Sequence, residues 1–109
     1  MEIDREFLKG SISLLLLNLL SRGEMYGYEI LQEASRRSAS AFEFKEGTLY
    51  PALHQLEKKG LIRSEWRTAE NGRERKYYSL TAKGKKTARE YERQWHHLTG
   101  AIAAVLESK

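Results

Sequence analysis

The side chains of this sequence that could do chemistry are mainly cationic, and most of them lie between residues 45 and 90. That segment holds 12 lysines and arginines against 6 acidic residues, a net charge of +6, whereas residues 1–44 have a net charge of −2. The whole chain of 109 residues carries a formal net charge of +4. So uneven a distribution favours a surface that binds a polyanion, and a merely solvated surface is the simpler alternative.

Two groups of side chains in this basic segment are candidates for contacts with nucleic acid. The first belongs to the stretch KEGTLYPALHQLEK and comprises Lys45, Thr48, Tyr50, Pro51, His54 and Lys58. The second follows an Asn-Gly turn signal and comprises Arg73, Arg75 and Lys76. Cationic side chains and hydroxyl groups commonly donate hydrogen bonds to phosphate oxygens. The alternatives are that Tyr50 packs on the preceding helix, and that the three cations belong to a solvated turn whose field Glu70 and Glu74 weaken.

Neither a catalytic centre nor a metal centre can be made out in the sequence. It contains no cysteine, and no Ser-His-Asp arrangement, phosphate-binding loop or catalytic pair of carboxylates is recognisable. Glu92 and His96 lie four residues apart, on one face of a predicted helix, and offer two metal ligands at most. We therefore expect a solvated Glu-His pair, no cofactor, no metal and no enzymatic activity.

The composition also bears on where the protein resides. The absence of cysteine suits a reducing compartment. The first residues, MEIDREF, lack the basic region of a signal peptide. The leucine-rich run SISLLLLNLLS is far shorter than the roughly 20 residues that a membrane-spanning helix needs. We expect a single soluble domain in the cytoplasm with no membrane partner.

The chain's only proline indicates where a helix starts. The apolar residues around it recur at helical spacing, at Leu49, Leu53 and Leu56. Proline is tolerated in the first turn of a helix, because the backbone N–H groups there have no intrahelical partner. The pattern therefore predicts a helix with Thr48 as its N-cap, Pro51 in its first turn and its end at Gly60.

Two helices are predicted before the proline helix. Residues 5–21 form the first, and its apolar side chains cover so much of the circumference that we expect a partner subunit to bury part of it. The second begins near Gly27, after a break at Gly23, with an inner stripe of Ile30, Leu31 and Ala34. Phe42 and Phe44 then follow at a spacing of two, which suggests a short extended piece.

A two-stranded hairpin is predicted after Gly60. LIRSEW alternates apolar with polar residues and RKYYSL is rich in aromatic residues, and Asn71-Gly72 lies between them as a turn signal. Arg67 and the three cations named above would lie at or near the tip. We expect Trp66 to anchor the hairpin in the core, and one of Tyr77 and Tyr78 to be buried, since successive strand residues point to opposite faces.

The last predicted helix runs from Thr81 to about Glu107 and carries a heptad seam. Its apolar or small residues recur at alternating spacings of four and three, at Gly84, Ala88, Tyr91, Trp95, Leu98, Ile102 and Val105. A seam of this kind is typical of a helix that packs on another helix. We expect a dimer contact, and packing within the monomer is the alternative.

The order of elements predicts a mainly α fold with a small β-hairpin. Three helices, a hairpin and a long helix match a winged helix-turn-helix over residues 1–80 followed by a C-terminal dimerisation helix over residues 81–109. In this arrangement the proline helix is the recognition helix and enters the major groove of DNA. The hairpin is the wing and lies along the DNA backbone or the minor groove.

Three stretches together resemble the PadR family of bacterial transcriptional regulators. They are YGYEI at residues 26–30, EGTLYPALHQLEKKGLI at residues 46–62 and RKYYSLTAKG at residues 75–84. The single C-terminal helix resembles the short-form members. The resemblance implies a homodimeric repressor that packs its long helix on the partner's first helix. It also implies a palindromic operator in double-stranded DNA, often beside the regulator's own gene or a transporter gene.

The resemblance further implies an effector site, because some short-form members hold planar aromatic drugs between two tryptophans. Trp95 would then face its own copy across the dimer axis, with Leu14 and Leu17 lining the cavity and Leu98 below. The alternative for Trp95 is simple packing in the seam. The alternative for the whole protein is a winged-helix module that binds another protein and not DNA.

Overall fold

A computed structural model describes residues 11–108 of the chain. Its elements in chain order are α1 (Ile12–Leu20), β1 (Met25–Tyr26), α2 (Gly27–Arg37), α3 (Glu46–Lys58), β2 (Ile62–Thr68), β3 (Glu74–Leu80) and α4 (Ala82–Glu107). The strands form one antiparallel sheet in the order β1-β3-β2. The predicted mainly α winged-helix fold is confirmed, and β1 is added to the predicted hairpin. None of the helices in the described part of the chain is long and apolar enough to cross a membrane.

The core lies between the inner faces of α1, α2 and α3 and the base of the hairpin. The stripe predicted on α3 is fully buried, with at most 1% of Leu49, Leu53 and Leu56 exposed. The described part of the predicted first helix begins at Ile12, and residues 5–10 lie outside the described range. Because α3 buries its whole apolar stripe in the core, its opposite face is left to solvent.

The start of α3 differs from the prediction. The helix begins at Glu46 with Lys45 as its N-cap, so Thr48 is already its third residue and Pro51 lies in the second turn. Proline there removes a hydrogen bond to the carbonyl of Gly47. Gly47 is exposed, so water can reach that carbonyl, which explains why the helix continues through the proline. The predicted end is confirmed, since Gly60 follows the helix with φ of +77°.

The hairpin forms as predicted, but its outer half extends beyond the core. Ile62 and Leu80 pair at its base and are buried, whereas every β2 residue from Glu65 to Thr68 is exposed. Trp66 is 64% exposed, so the expectation that it anchors the core was wrong. Tyr78 is the buried member of the tyrosine pair, as one of the two had to be.

The loops around α2 also differ in detail from the prediction. Met25 and Tyr26 pair with Tyr78 and Tyr77 and add a short third strand at the edge of the hairpin. The predicted extended piece at Phe42 and Phe44 forms no strand. The two rings instead stack on each other, with centroids 5.9 Å apart, and pack against the core.

The junction between α3 and α4 is held by hydrogen bonds from the start of α4. The hydroxyl of Thr81 accepts a hydrogen bond from the backbone N–H of Gly84 at 3.0 Å, as an N-cap does, and donates to the carbonyl of Gly60 at 2.7 Å. The backbone N–H of Thr81 donates to the carbonyl of Leu61 at 3.1 Å. These bonds fix the end of α3 relative to α4.

The long helix α4 has two different halves. Near its start Gly84 and Ala88 are buried, and this half packs on β3 and along α1. From Trp95 onward the seam residues are exposed to solvent, with 44% of Trp95, 51% of Leu98, 47% of Ile102 and 72% of Val105 exposed. The seam is therefore part of the monomer core at one end and an exposed apolar face at the other.

Candidate nucleic-acid interface

The outward face of α3 carries all the side chains predicted for it. The stripe of leucines fixes the rotation of the helix about its axis, and the exposed residues are Lys45, Thr48, Tyr50, Pro51, His54 and Lys58. The helix is 13 residues long, and none of these side chains belongs to the buried core. An α-helix of this kind fits the major groove of B-form DNA.

Tyr50 packs on the preceding helix and is also partly exposed at the surface. Its ring lies against the start of α2, where a methyl group added to Gly27 would be 2.3 Å from the tyrosine hydroxyl. The side chain is nevertheless 43% exposed. The absence of a side chain at Gly27 therefore lets Tyr50 pack closely on α2 while it remains on the surface of α3.

Two of the three wing cations, Arg75 and Lys76, lie over aromatic rings. The guanidinium carbon of Arg75 lies 4.3 Å from the ring centroid of Tyr26, and Nζ of Lys76 lies 5.8 Å from that of Tyr78. Arg73 is exposed in the loop at the tip. Attraction to the face of a ring positions a cation without neutralising its charge. Arg75 and Lys76 therefore keep their charge on the side of the wing near α2.

Arg67 also lies over a ring, 5.0 Å from the centroid of Tyr77, but unlike Arg75 and Lys76 it is hydrogen-bonded to carboxylates. Its guanidinium donates to the carboxylates of Glu24 and Glu65, with Nη2 2.7 Å from Oε2 of Glu24 and 3.1 Å from Oε2 of Glu65. The hydrogen bond from Arg67 lowers the pKa of Glu24, and the two carboxylates raise the pKa of the arginine. Two acidic partners offset its charge, so Arg67 does not add to the positive field of the wing.

An open groove lies between α3, the start of α2 and the wing. We call it the wing groove, and its volume is about 460 Å³. It is lined by Tyr26, Gly27, Tyr28, Tyr50, Trp66, Glu74, Arg75, Lys76 and Tyr78. Burial raises the pKa of the Tyr78 hydroxyl, with smaller contributions from Tyr50 and Glu57. Tyr28 and Trp66 were not predicted to lie at this site, and the alternation in LIRSEW does not show that the strand leaves the core before Trp66.

A second groove lies between α1 and α4 and bears on the predicted effector site. It has a volume of about 360 Å³ and is lined by Ser13, Leu14, Tyr91, Gln94, Trp95 and Leu98. Three of the four predicted effector residues, Leu14, Trp95 and Leu98, thus lie together. Leu17 does not join them, because it is fully buried in the core.

The predicted pair on α4 is present at the surface. Nε2 of His96 lies 3.8 Å from Oε1 of Glu92, and both side chains are more than half exposed. Within residues 11–108 no three acidic or histidine side chains are grouped as metal ligands would be. The pair is a surface contact between two solvated side chains.

Comparison with known proteins places this arrangement in a family. The model of the PadR-like family of transcriptional regulators matches residues 16–90. A transcriptional regulator of Mycobacterium tuberculosis is 36% identical over 98 residues, which cover 90% of this chain and 88% of that protein.

Solved structures agree with this match. A transcriptional regulator from Clostridium thermocellum superposes with a TM-score of 0.83 at 32% identity and covers 93% of this chain and 95% of its own. A PadR family regulator from Eggerthella lenta superposes with a TM-score of 0.83 at 34% identity, and the match covers 95% of this chain and 88% of that regulator. The predicted resemblance is confirmed: the chain belongs to the PadR-like family of transcriptional regulators, which are not enzymes.

Proposed function

We propose that this chain is a homodimeric, sequence-specific DNA-binding repressor of a neighbouring operon. The observation that carries the proposal is α3, which buries its leucine stripe and leaves five polar or basic residues and Pro51 exposed beside a cationic wing. In this proposal α3 reads base edges in the major groove, and Arg73, Arg75 and Lys76 contact phosphates. Two copies related by a twofold axis would read a palindromic operator.

The DNA-binding half of the proposal is tested with a duplex of mixed sequence. Fluorescence anisotropy measures the affinity of the purified protein for this duplex. The logarithm of the affinity is expected to fall linearly with the logarithm of the salt concentration, because phosphate contacts release bound counterions. Binding that is absent at low salt would contradict the proposal.

The homodimer is proposed from the exposed half of α4. Among the described residues, Trp95, Leu98, Ile102, Val105 and Leu106 present large exposed apolar side chains on this one segment. A soluble monomer rarely exposes so contiguous an apolar surface. We propose that residues 81–109 act as a dimerisation unit beside a DNA-binding unit of residues 1–80, and that the dimer works in the cytoplasm.

Ile102→Asp is expected to convert the dimer to a monomer, because it places a charge in the centre of the proposed contact. Light scattering coupled to size-exclusion chromatography measures the change. Ala104→Asp is the matched control, since residue 104 is exposed and lies about 200° around the helix from residue 102. A monomeric wild type, or an Ile102→Asp variant that stays dimeric, would contradict the proposed interface.

Release by a planar aromatic effector is proposed from the groove between α1 and α4. A compound held between Trp95 and its copy in the partner subunit would change the separation of the two recognition helices, and so the affinity for the operator. Such a compound is expected to quench Trp95 fluorescence in a Trp66→Phe background. Equal quenching in the Ile102→Asp monomer would contradict a site shared between subunits.

A further inference from the structure

The wing groove contains the exposed aromatic residues that the dimer seam does not explain. Among the described residues, eight large apolar or aromatic side chains are exposed, and five of them lie on the C-terminal half of α4. The other three are Tyr28, Tyr50 and Trp66, and all three line the wing groove. Exposed apolar surface of this kind commonly marks a binding site.

Each of the three aromatic side chains is positioned by a different element. Tyr50 lies on α3 and is fitted against Gly27, Tyr28 lies in the first turn of α2, and Trp66 lies on β2. The register of the hairpin pairs Trp66 with Lys76 on the neighbouring strand. The groove is therefore built on helices and paired strands rather than on a loop.

The charge of the wing groove is positive. Arg75 and Lys76 share the groove with four tyrosines and a tryptophan, and Glu74 is the one acidic residue among the described residues of the lining. Both cations lie over aromatic rings, which do not neutralise their charge, whereas Arg67 is hydrogen-bonded to two carboxylates. A groove with aromatic walls and two available cations is complementary to an anionic chain that also has apolar faces.

We propose that the wing groove holds the sugar–phosphate backbone of one DNA strand, next to the major groove that receives α3. Arg75 and Lys76 contact phosphates, Trp66 and Tyr28 pack on deoxyribose rings, and Tyr50 donates its hydroxyl hydrogen to a phosphate oxygen. This inference rests on the proposed DNA binding and adds the aromatic residues to it. It assigns to Trp66 a role in binding, where the sequence suggested a structural one.

The two kinds of contact predict different responses to salt. Each phosphate contact contributes about 0.9 to the slope of log affinity against log salt concentration. Packing on a sugar releases no counterion. Removing Arg75 and Lys76 is therefore expected to lower the slope, whereas removing Trp66 is expected to lower the affinity by the same factor at every salt concentration.

The experiment compares wild type with three variants on one mixed-sequence duplex over a range of salt concentrations. Trp66→Ala is expected to weaken binding about 10-fold with an unchanged slope. Trp66→Phe retains an aromatic face and is expected to recover most of the affinity. Arg75→Ala combined with Lys76→Ala is expected to reduce the slope by about 1.8. Circular dichroism and thermal unfolding check that each variant is folded.

A second readout follows Trp66 directly. In a Trp95→Phe background it is the only tryptophan, because the chain has two. Duplex DNA is expected to shift its emission to shorter wavelength and to protect it from iodide quenching, since the ring becomes covered.

The outcomes distinguish a failure of this inference from a failure of the proposed DNA binding on which it rests. If wild type binds the duplex but Trp66→Ala binds equally well, or Trp66 stays open to iodide in the complex, the wing groove does not hold the backbone and the DNA-binding proposal still stands. If wild type binds no duplex, the proposed function fails and this inference fails with it.

Discussion

Replacing Gly84 with alanine is expected to lower the free energy of unfolding by about 3 kcal/mol. A methyl group on residue 84 would lie 1.8 Å from the carbonyl oxygen of Leu61 and 3.3 Å from Cδ2 of Leu80. Because the carbonyl of Leu61 belongs to the backbone, it cannot rotate away as a flexible side chain could. The same carbonyl accepts the hydrogen bond from the N–H of Thr81, so moving it also disturbs the N-cap of α4. Urea denaturation at one fixed protein concentration measures the effect.

Gly100→Ala is the matched control for this prediction. It lies in the same helix, and a methyl group there meets nothing within 4 Å among the described residues. Alanine is favoured over glycine inside helices by about 1 kcal/mol, so this variant is expected to be as stable as wild type or slightly more stable. Equal stability of the Gly84→Ala and Gly100→Ala variants would show that α4 does not approach Leu61 as closely as described.

The second large effect is expected from the wing. Changing Arg73, Arg75 and Lys76 to alanine together is expected to weaken binding to every duplex, roughly 100-fold at low salt, and to lower the salt slope by about 2.7. The reason is the loss of three phosphate contacts. These contacts carry no sequence information, so the preference among duplexes is expected to remain. Anisotropy titrations at several salt concentrations give both quantities.

The control for the wing variant removes the same charge elsewhere. Lys85, Lys86 and Arg89 are exposed on α4, and their triple alanine variant also loses three positive charges. If the wing acts through contacts, this control keeps most of the salt slope. A similar loss in both variants would mean that overall charge drives binding and that the wing makes no specific phosphate contacts.

Periodicity explains what the sequence could predict of the fold. The leucine stripe of α3, the hairpin strands and the extent of α4 all depend on repeated spacings, and each agrees with the structure. A strand of two residues, such as Met25–Tyr26, has no repeat to detect. The start of α3 could not be predicted from Pro51, because it depends on whether water reaches the carbonyl of Gly47.

A sequence pattern does not show how far a residue lies from the core, and this explains why parts of the site were not predicted. The alternation around Trp66 is the same whether a strand crosses the core or extends beyond it. Similarly, α1 is apolar on most sides, so its sequence could not show that Leu17 faces the core while Leu14 faces the groove. The pairing of Arg67 with Glu24 joins residues 43 positions apart, and no local pattern indicates it.

The measurement that tests the central claim most directly is selection from a random duplex library with the purified protein, followed by sequencing of the retained DNA. The account predicts one enriched motif made of two inverted half-sites, separated by about one helical turn of DNA or a multiple of it. Retained DNA without any enriched motif, from a protein that light scattering shows to be dimeric, would contradict sequence-specific recognition by α3. That result would favour a winged-helix module that binds another protein.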